Sequence, residues 1–228
     1  MSEARPVGVV VDPLPPGSKP DLRPLHGRWV LLEPVSAAKH AKDLWASFAD
    51  SDPRGDVWTY LAYGPWQSFE QFEAWLKERE AQRDPWFYAF VRRETGKACG
   101  MGAFMRADPP NGVIEIGHIW MSPGLQRTRE STEIIFLMIR HCFDDLGVRR
   151  LEWKCDSLNA PSRRAAERFG FVFEGVFRQH FIVKGRNRDT AWFAILDKEW
   201  PQIRKGFEAW LDPANFDGER QKAKLQVT

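Results

Sequence analysis

Residues 113–156 read as strand, helix, strand, and that order restricts the possible folds more than any other stretch of the chain. VIEIGHIWM is an apolar run that ends at Ser122, Pro123 and Gly124. LQRTRESTEIIFLM follows, polar and cationic at its start and then apolar at helical spacing. RRLEWKCDS alternates Leu151, Trp153 and Cys155 against Glu152, Lys154 and Asp156, the pattern of a half-buried strand. The spacing predicts a helix from about Thr128 to Leu146, stopped by Gly147. Such a helix is a crossover between strands and packs on the face of their sheet. Arg127 and Arg129 load its amide end, where the macrodipole already acts as a partial positive charge.

The remaining elements surround this unit. RWVLLEPV reads as a short strand ending at Pro34. AAKHAKDLWASFA and SFEQFEAWLKEREAQ have helical spacing, the second opening on Ser68 as N-cap with Glu70 in its first turn. WFYAFVRR and KACGMGAFMRA form a hairpin around Glu94, Thr95 and Gly96. NAPSRRAAERFG is a helix with Asn159 as N-cap, Pro161 early and Gly170 at its end. FVFEGVFRQHFIV and DTAWFAIL flank KGRNR as a closing hairpin, and DKEWPQIRKGFEAWLD is a final helix. The predicted fold class is α/β, an α+β sandwich with a mixed sheet flanked by helices. Residues 1–24 carry six prolines and no amphipathic period, which predicts a flexible or loosely draped arm. Residues 25–198 form the expected domain, and 199–228 a terminal helix whose last residues read as frayed and polar.

Composition excludes several classes. Hydrophobic residues make up 43% of the 228 positions and charged ones 28%. No apolar run approaches the roughly 18 residues a membrane helix needs, so no membrane partner is expected. The start lacks the basic region and apolar core of a secretion signal, so the cytoplasm is the expected location. Cys99, Cys142 and Cys155 stand far apart, which predicts reduced buried thiols and no metal site. The net charge of +2 gives no support to a nucleic-acid partner, although eight arginines lie between Arg149 and Arg188. A homodimer is one assembly the sequence leaves open.

Five segments, IEIGHIWMSP, QRTRESTE, LEWKCDSLNAPS, AAERFGF and EGVFRQHFIVKGRNRD, follow one another between about Arg28 and Leu196. In order and spacing they resemble the GNAT superfamily of acyl-CoA-dependent N-acyltransferases, and within it the RimJ/RimL-type branch, named for enzymes that acetylate ribosomal protein N-termini. The resemblance implies a mixed, mostly antiparallel GNAT-like central sheet. It implies acetyl-CoA as co-substrate, without a metal, and direct transfer of the acetyl group to a primary amine of a small molecule or a protein N-terminus.

The backbone at Trp120 and Met121 would then hold the pantetheine and carbonyl. Gln126, Arg127, Thr128, Arg129, Glu130, Ser131 and Thr132 would meet the pyrophosphate at a helix N-terminus, a good anion site on physical grounds alone. Asn159 would touch the pantetheine arm, and Ser162 would protonate the leaving thiolate. The chain departs from the family at three places. Arg129 and Ser131 stand where the phosphate loop carries glycine or alanine, Ala166 where many relatives carry a tyrosine, and Phe181 where RimL-type relatives carry a glutamate.

An amine must shed its proton before it attacks a thioester, so a base or a water path is expected. The candidates, in order, are His180, Glu115, His118 and Glu152, with water as the remaining route. Period-two alternation sets His118 on the strand face opposite Glu115. Trp58, Tyr60, Tyr63 and Trp66 form either an aromatic acceptor wall or part of the core. KGRNRD is either an anion contact or a solvated turn. Two rival readings are a non-catalytic acyl-CoA-binding module and an RNA- or ribosome-associated module on the same fold.

Overall fold

Leu151, Trp153 and Cys155 enter the core as their alternation requires, while Glu152 and Lys154 share the opposite face of the strand. The computed structural model describes residues 5–227. Its strands are β1 (Leu25–His26), β2 (Val30–Pro34), β3 (Trp86–Arg92), β4 (Ala98–Asp108), β5 (Val113–Met121), β6 (Arg150–Asp156), β7 (Val172–Val183) and β8 (Arg186–Leu196). They form one sheet in the order β1-β2-β3-β4-β5-β6-β8-β7. Every neighbouring pair is antiparallel except β5 and β6.

Helices cover both faces. α1 (Ala37–Ala49) and α2 (Phe69–Ala81) bury Leu44, Phe48, Phe72 and Leu76 against Ala89 and Met101. α3 (Arg129–Arg140), α4 (Ala160–Arg168) and α5 (Trp200–Trp210) pack on the other side, where Ile134, Met138 and Phe207 meet Leu151 and Phe193. Side-chain caps fix three helix starts: Ser68, Thr128 and Asn159 accept from the amides of Gln71, Ser131 and Ser162.

Two expectations need correction, and the N-terminal arm takes the draped form of its two alternatives. The long helix is α-helical only to Arg140, and the turn His141–Asp145 widens to a π-helix. There His141 Nδ1 and Asp145 share a 2.8 Å contact, and the Leu146 amide bonds back to the His141 carbonyl. The described part of the N-terminal arm has no regular structure, yet it is anchored. Pro20 is buried, Leu22 packs on the core, and the Tyr88 hydroxyl donates to the Arg23 carbonyl at 3.1 Å.

The C-terminal segment is likewise tied down rather than frayed. It forms a small hairpin of β9 (Phe216–Asp217) and β10 (Arg220–Gln221), and Val227 is buried beside Ile203 and Gly170. Gly206 makes this possible, because a Cβ there would collide with the Gln226 carbonyl. Tail polarity is real, but a few apolar side chains suffice to anchor it.

Candidate active site

The parallel β5–β6 pair holds for only three residue pairs, ending at Glu115 opposite Glu152. Beyond that point the strands separate: β5 stays with β4, β6 with β8, and a crevice opens between them. α3 follows β5 and α4 follows β6, so both helix N-termini lie at the crevice. In open sheets of this kind, ligands bind outside the carboxyl ends of adjacent parallel strands. A β-bulge with His118 at φ 51° breaks the β5 register at this level. The ladder partners of Trp120 and Met121 lie on β4, which leaves their other backbone edge facing the crevice.

At the mouth of α3, the amides of Arg127, Thr128, Arg129 and Glu130 have no acceptor among the described residues. Four N–H groups at a helix start form an anion cradle. The loop beneath them is held in place. The Leu125 and Gln126 amides bond to the Ser122 carbonyl, Gln126 Nε2 donates to the Met121 carbonyl at 3.0 Å, and the Arg92 guanidinium holds the Gly124 carbonyl.

Most loop side chains are engaged inside the fold. Thr128 caps the helix, Ser131 Oγ donates to the Thr128 carbonyl, and Thr132 Oγ1 accepts from Arg168. Arg129 turns away to the C-terminal hairpin, donating to the Gly218 carbonyl at 3.1 Å and lying 5.1 Å from the Trp29 ring centroid. The cradle is therefore built of backbone. Helical φ at Arg129 and Ser131 demands no glycine; the left-handed position is Arg127, at φ 63°. The two divergent residues sit inside the helix, so their backbone conformation does not call for glycine.

Asn159 and Ser162 lie together at the start of α4, the Asn159 side chain accepting from the Ser162 amide at 3.1 Å. Ser162 Oγ accepts from the indole N–H of Trp153 at 3.0 Å. That bond uses one lone pair and leaves the hydroxyl proton free to donate. Coenzyme A fits this arrangement: free amides for the pyrophosphate, an open strand edge for the pantetheine, and a hydroxyl beside the end of β6.

The remaining candidates share the sheet face that carries α1 and α2. The bulge resets the alternation of β5, so His118 lies on the same face as Glu115 rather than the opposite one. Its ring stacks on Tyr63 at 5.6 Å and packs on Phe87, while Glu115 meets Lys154 at 2.9 Å and Arg106 at 3.6 Å. Burial outweighs these cations and raises the Glu115 carboxyl above its ordinary range. Glu152 is tied to Lys154 at 2.7 Å and Arg150 at 2.8 Å. Lys154 itself lies 3.8 Å from the Trp192 ring centroid. Both acids are thus members of an ion-pair network.

His180 lies in an irregular part of β7, between Phe177 and Phe181, where the register with β8 shifts. It packs against Phe181 and Trp192 and borders an open cleft of about 890 Å³ shared with Phe177, Gln179 and Asp189. Partial burial, Arg106, Arg188 and Lys154 all lower its pKa, so the ring is neutral at neutral pH and able to accept a proton.

The aromatic segment divides. Trp58 is 1% exposed and belongs to the core, so it is no part of an acceptor wall. Trp66 packs on Trp58 and Trp75, and the Tyr63 hydroxyl shares a 3.2 Å hydrogen bond with His118 Nδ1. Tyr60 donates to the Leu158 carbonyl at 3.2 Å, tying this segment to the β6–α4 turn. Sequence reasoning passed over Arg106, Lys154, Arg188 and Trp192 as site residues. The signal for Arg188 and Trp192 was the alternation of β8, in which Arg188, Thr190 and Trp192 share one face, and for Lys154 that of β6; Arg106, at a positive φ in β4, had none.

His118 has a consequence for stability. Burial first, then Arg79, Arg106 and Arg188, pull its pKa from 6.5 down to about 4. Between those values the unfolded chain binds a proton that the folded chain refuses, so stability falls as pH drops from 6.5 towards 4 and is unaffected above. Between pH 7 and pH 5 this one group should remove about 2 kcal/mol. Urea unfolding at both pH values should show the loss shrinking by that amount in His118→Gln; an equal loss in both proteins would assign the acid sensitivity elsewhere.

Comparison with known proteins gives a consistent result. Residues 30–172 match the acetyltransferase (GNAT) domain family. A GCN5-related N-acetyltransferase from Brucella melitensis is 47% identical and superposes with a TM-score of 0.90, over 94% of this chain and 97% of that one. A GNAT-family acetyltransferase structure from Chromobacterium violaceum is 39% identical with a TM-score of 0.79, over 88% and 100% of the two chains. A Bacillus subtilis protein named as a ribosomal N-acetyltransferase, YdaF, is 30% identical over 46% of this chain, and the match spans 57% of its length.

Proposed function

The chain belongs to the GNAT acetyltransferase family, and from that premise we propose that it transfers an acetyl group from acetyl-CoA to a primary amine by direct attack, in the cytoplasm. The observation that carries this reading is the crevice between β5 and β6, closed at one end by the four free amides of residues 127–130. Those amides would hold the pyrophosphate, reinforced by the positive end of α3. The exposed backbone edge of His118–Met121 would align the pantetheine, with Asn159 beside it. Bound acetyl-CoA supplies the activated thioester carbonyl; the protein supplies alignment and proton transfer.

His180 is the base this arrangement favours, because its imidazole is neutral and open to the cleft, whereas Glu115 and Glu152 are held by cations. Ser162 Oγ–H is the proton donor for the departing sulfur. The acceptor is a small-molecule amine or a protein N-terminus; the name of the Bacillus subtilis relative suggests the second, and the charges around the acceptor cleft favour the first. Calorimetric titration with acetyl-CoA should give micromolar binding, about −8 kcal/mol, and adding an accepted amine should release free thiol. Absence of binding at millimolar acetyl-CoA would reject the reading.

A further inference from the structure

Resting on that reading, we propose that the acceptor amine carries a carboxylate and that Arg188 is the residue that recognises it. Arg188 makes no ion pair or hydrogen bond among the described residues, although it is only partly exposed and its Nε is buried. It faces the acceptor side of the sheet, paired in register with Phe181 and 5.7 Å from that ring centroid. The buried Thr190 Oγ1 and Trp192 Nε1, on the same face of β8, also lack partners, as does His180 Nδ1 across from them. Four orphaned polar atoms on two adjacent strands are costly unless a ligand completes them. Three of the four can donate, which matches the two oxygens of a carboxylate.

The charges around the site lead to the same class of ligand. On the sheet face that carries Arg188 stand the cations Arg106 and Lys154 and the anions Glu115 and Glu152, while Arg178 and Asp189 line the open cleft beside His180. Lys154 is neutralised by both acids, Arg106 shares Glu115, and Glu152 is shared again with Arg150. Asp189 also lines the cleft, but strand alternation sets it on the face of β8 opposite Arg188, and its Oδ1 accepts from the Gln179 amide and Asn187. His118 and His180 carry no charge at neutral pH. Arg188 is left without a counter-ion, and a carboxylate would provide one. An amine lacking a carboxylate would bring a third cation towards Arg106 and Arg188 and leave Arg188 unpaired.

Phe177, Phe181 and Trp192 offer apolar surface for the rest of the molecule. Size is limited by two bridges. Lys184, in the β7–β8 turn, donates to the Trp58 carbonyl at 2.8 Å, and Tyr60 donates to the Leu158 carbonyl, so the roof segment is tied to the walls on both sides. This favours a free amino acid over a threaded polypeptide.

The test compares each α-amino acid with its own carboxamide, and with a C-terminally amidated tetrapeptide, in a thiol-release assay with acetyl-CoA. At least one acid should show kcat/KM tenfold or more above its amide. Arg188→Gln should collapse that ratio towards one, chiefly through KM, and Arg188→Lys should leave it intermediate. The dissociation constant for acetyl-CoA should stay within twofold in both variants, which reports an intact fold. Amides or the tetrapeptide working as well as the acids, or a ratio unchanged by Arg188→Gln, would overturn the proposal. Acetyl-CoA binding without turnover of any acid would overturn it while leaving the donor site standing; no acetyl-CoA binding would overturn both.

Discussion

Glu133→Ala should destabilise the protein by at least about 3 kcal/mol, well above the loss that most single substitutions cause. Glu133 is 5% exposed, and its carboxylate accepts from the amides of Arg28, Trp29 and Val30 at 2.7, 2.8 and 3.0 Å. Each is a charge-assisted bond worth roughly 1.5–3 kcal/mol, and the three are made by one group, so they are lost together. Alanine would strand three donors, one on the fully buried Val30, in a turn that sets β1 and β2 on α3. Glutamine keeps the volume but sets an amide donor against an amide donor, so it should recover only part of the loss. Gly27 bears on the same point: a Cβ there would lie 2.6 Å from the carboxylate, so Gly27→Ala should disturb the clamp from the other side. In urea, the Glu133→Ala midpoint should fall by about 1 M or more. A shift below about 0.3 M would mean that water replaces the carboxylate at little cost.

That clamp also marks the limit of what the sequence made legible. α1, α2 and α4 lie where their periodicity and capping residues put them, because Ser68 and Asn159 act through bonds three residues away and a local rule captures them. The closing hairpin was readable from its turn-rich connector KGRNR, although the turn itself is only Lys184 and Gly185 and β8 already begins at Arg186. Glu133 was not, since its partners stand more than a hundred positions earlier in the chain. His118 fell on the wrong face for a related reason: a bulge inserts one residue into the alternation, and nothing in VIEIGHIWM announces it.

The orphaned donors of Arg188, Thr190 and Trp192 required the whole sheet before they could be seen to converge. The phosphate loop illustrates the opposite case. Reading Arg129 as a lost glycine overstated the problem, because the backbone there is helical and the strained position is Arg127. Six described non-glycine residues have positive φ; Leu22 and Lys184 lie in the N-terminal arm and the β7–β8 turn, and the other four, Arg106, His118, Arg127 and Gln179, lie on β4, β5, the α3 mouth and β7. Backbone strain at His118 and Arg127, on either side of the crevice mouth, is of the kind that accompanies functional sites.

Ser162→Ala should lower kcat by about a hundredfold while changing acetyl-CoA affinity less than twofold, a general-acid contribution of ordinary size. The hydroxyl has two roles that must be separated. It accepts from the Trp153 indole at 3.0 Å, and Trp153 is buried, so alanine strands that donor and should cost about 1–3 kcal/mol of stability. A loss of stability alone therefore says nothing about catalysis. Trp153→Phe separates the two, because it removes the indole donor and leaves the Ser162 hydroxyl in place with one partner fewer. If Ser162 serves only to hold Trp153, both variants should keep kcat within about threefold. If it protonates the departing sulfur, Ser162→Ala should lose kcat and Trp153→Phe should lose far less, because the donated proton belongs to the serine. Measured kcat, acetyl-CoA dissociation constants and urea midpoints for the two variants decide between these outcomes. A Ser162→Ala enzyme with near-normal kcat would leave water as the proton source and confine Ser162 to packing at the head of α4.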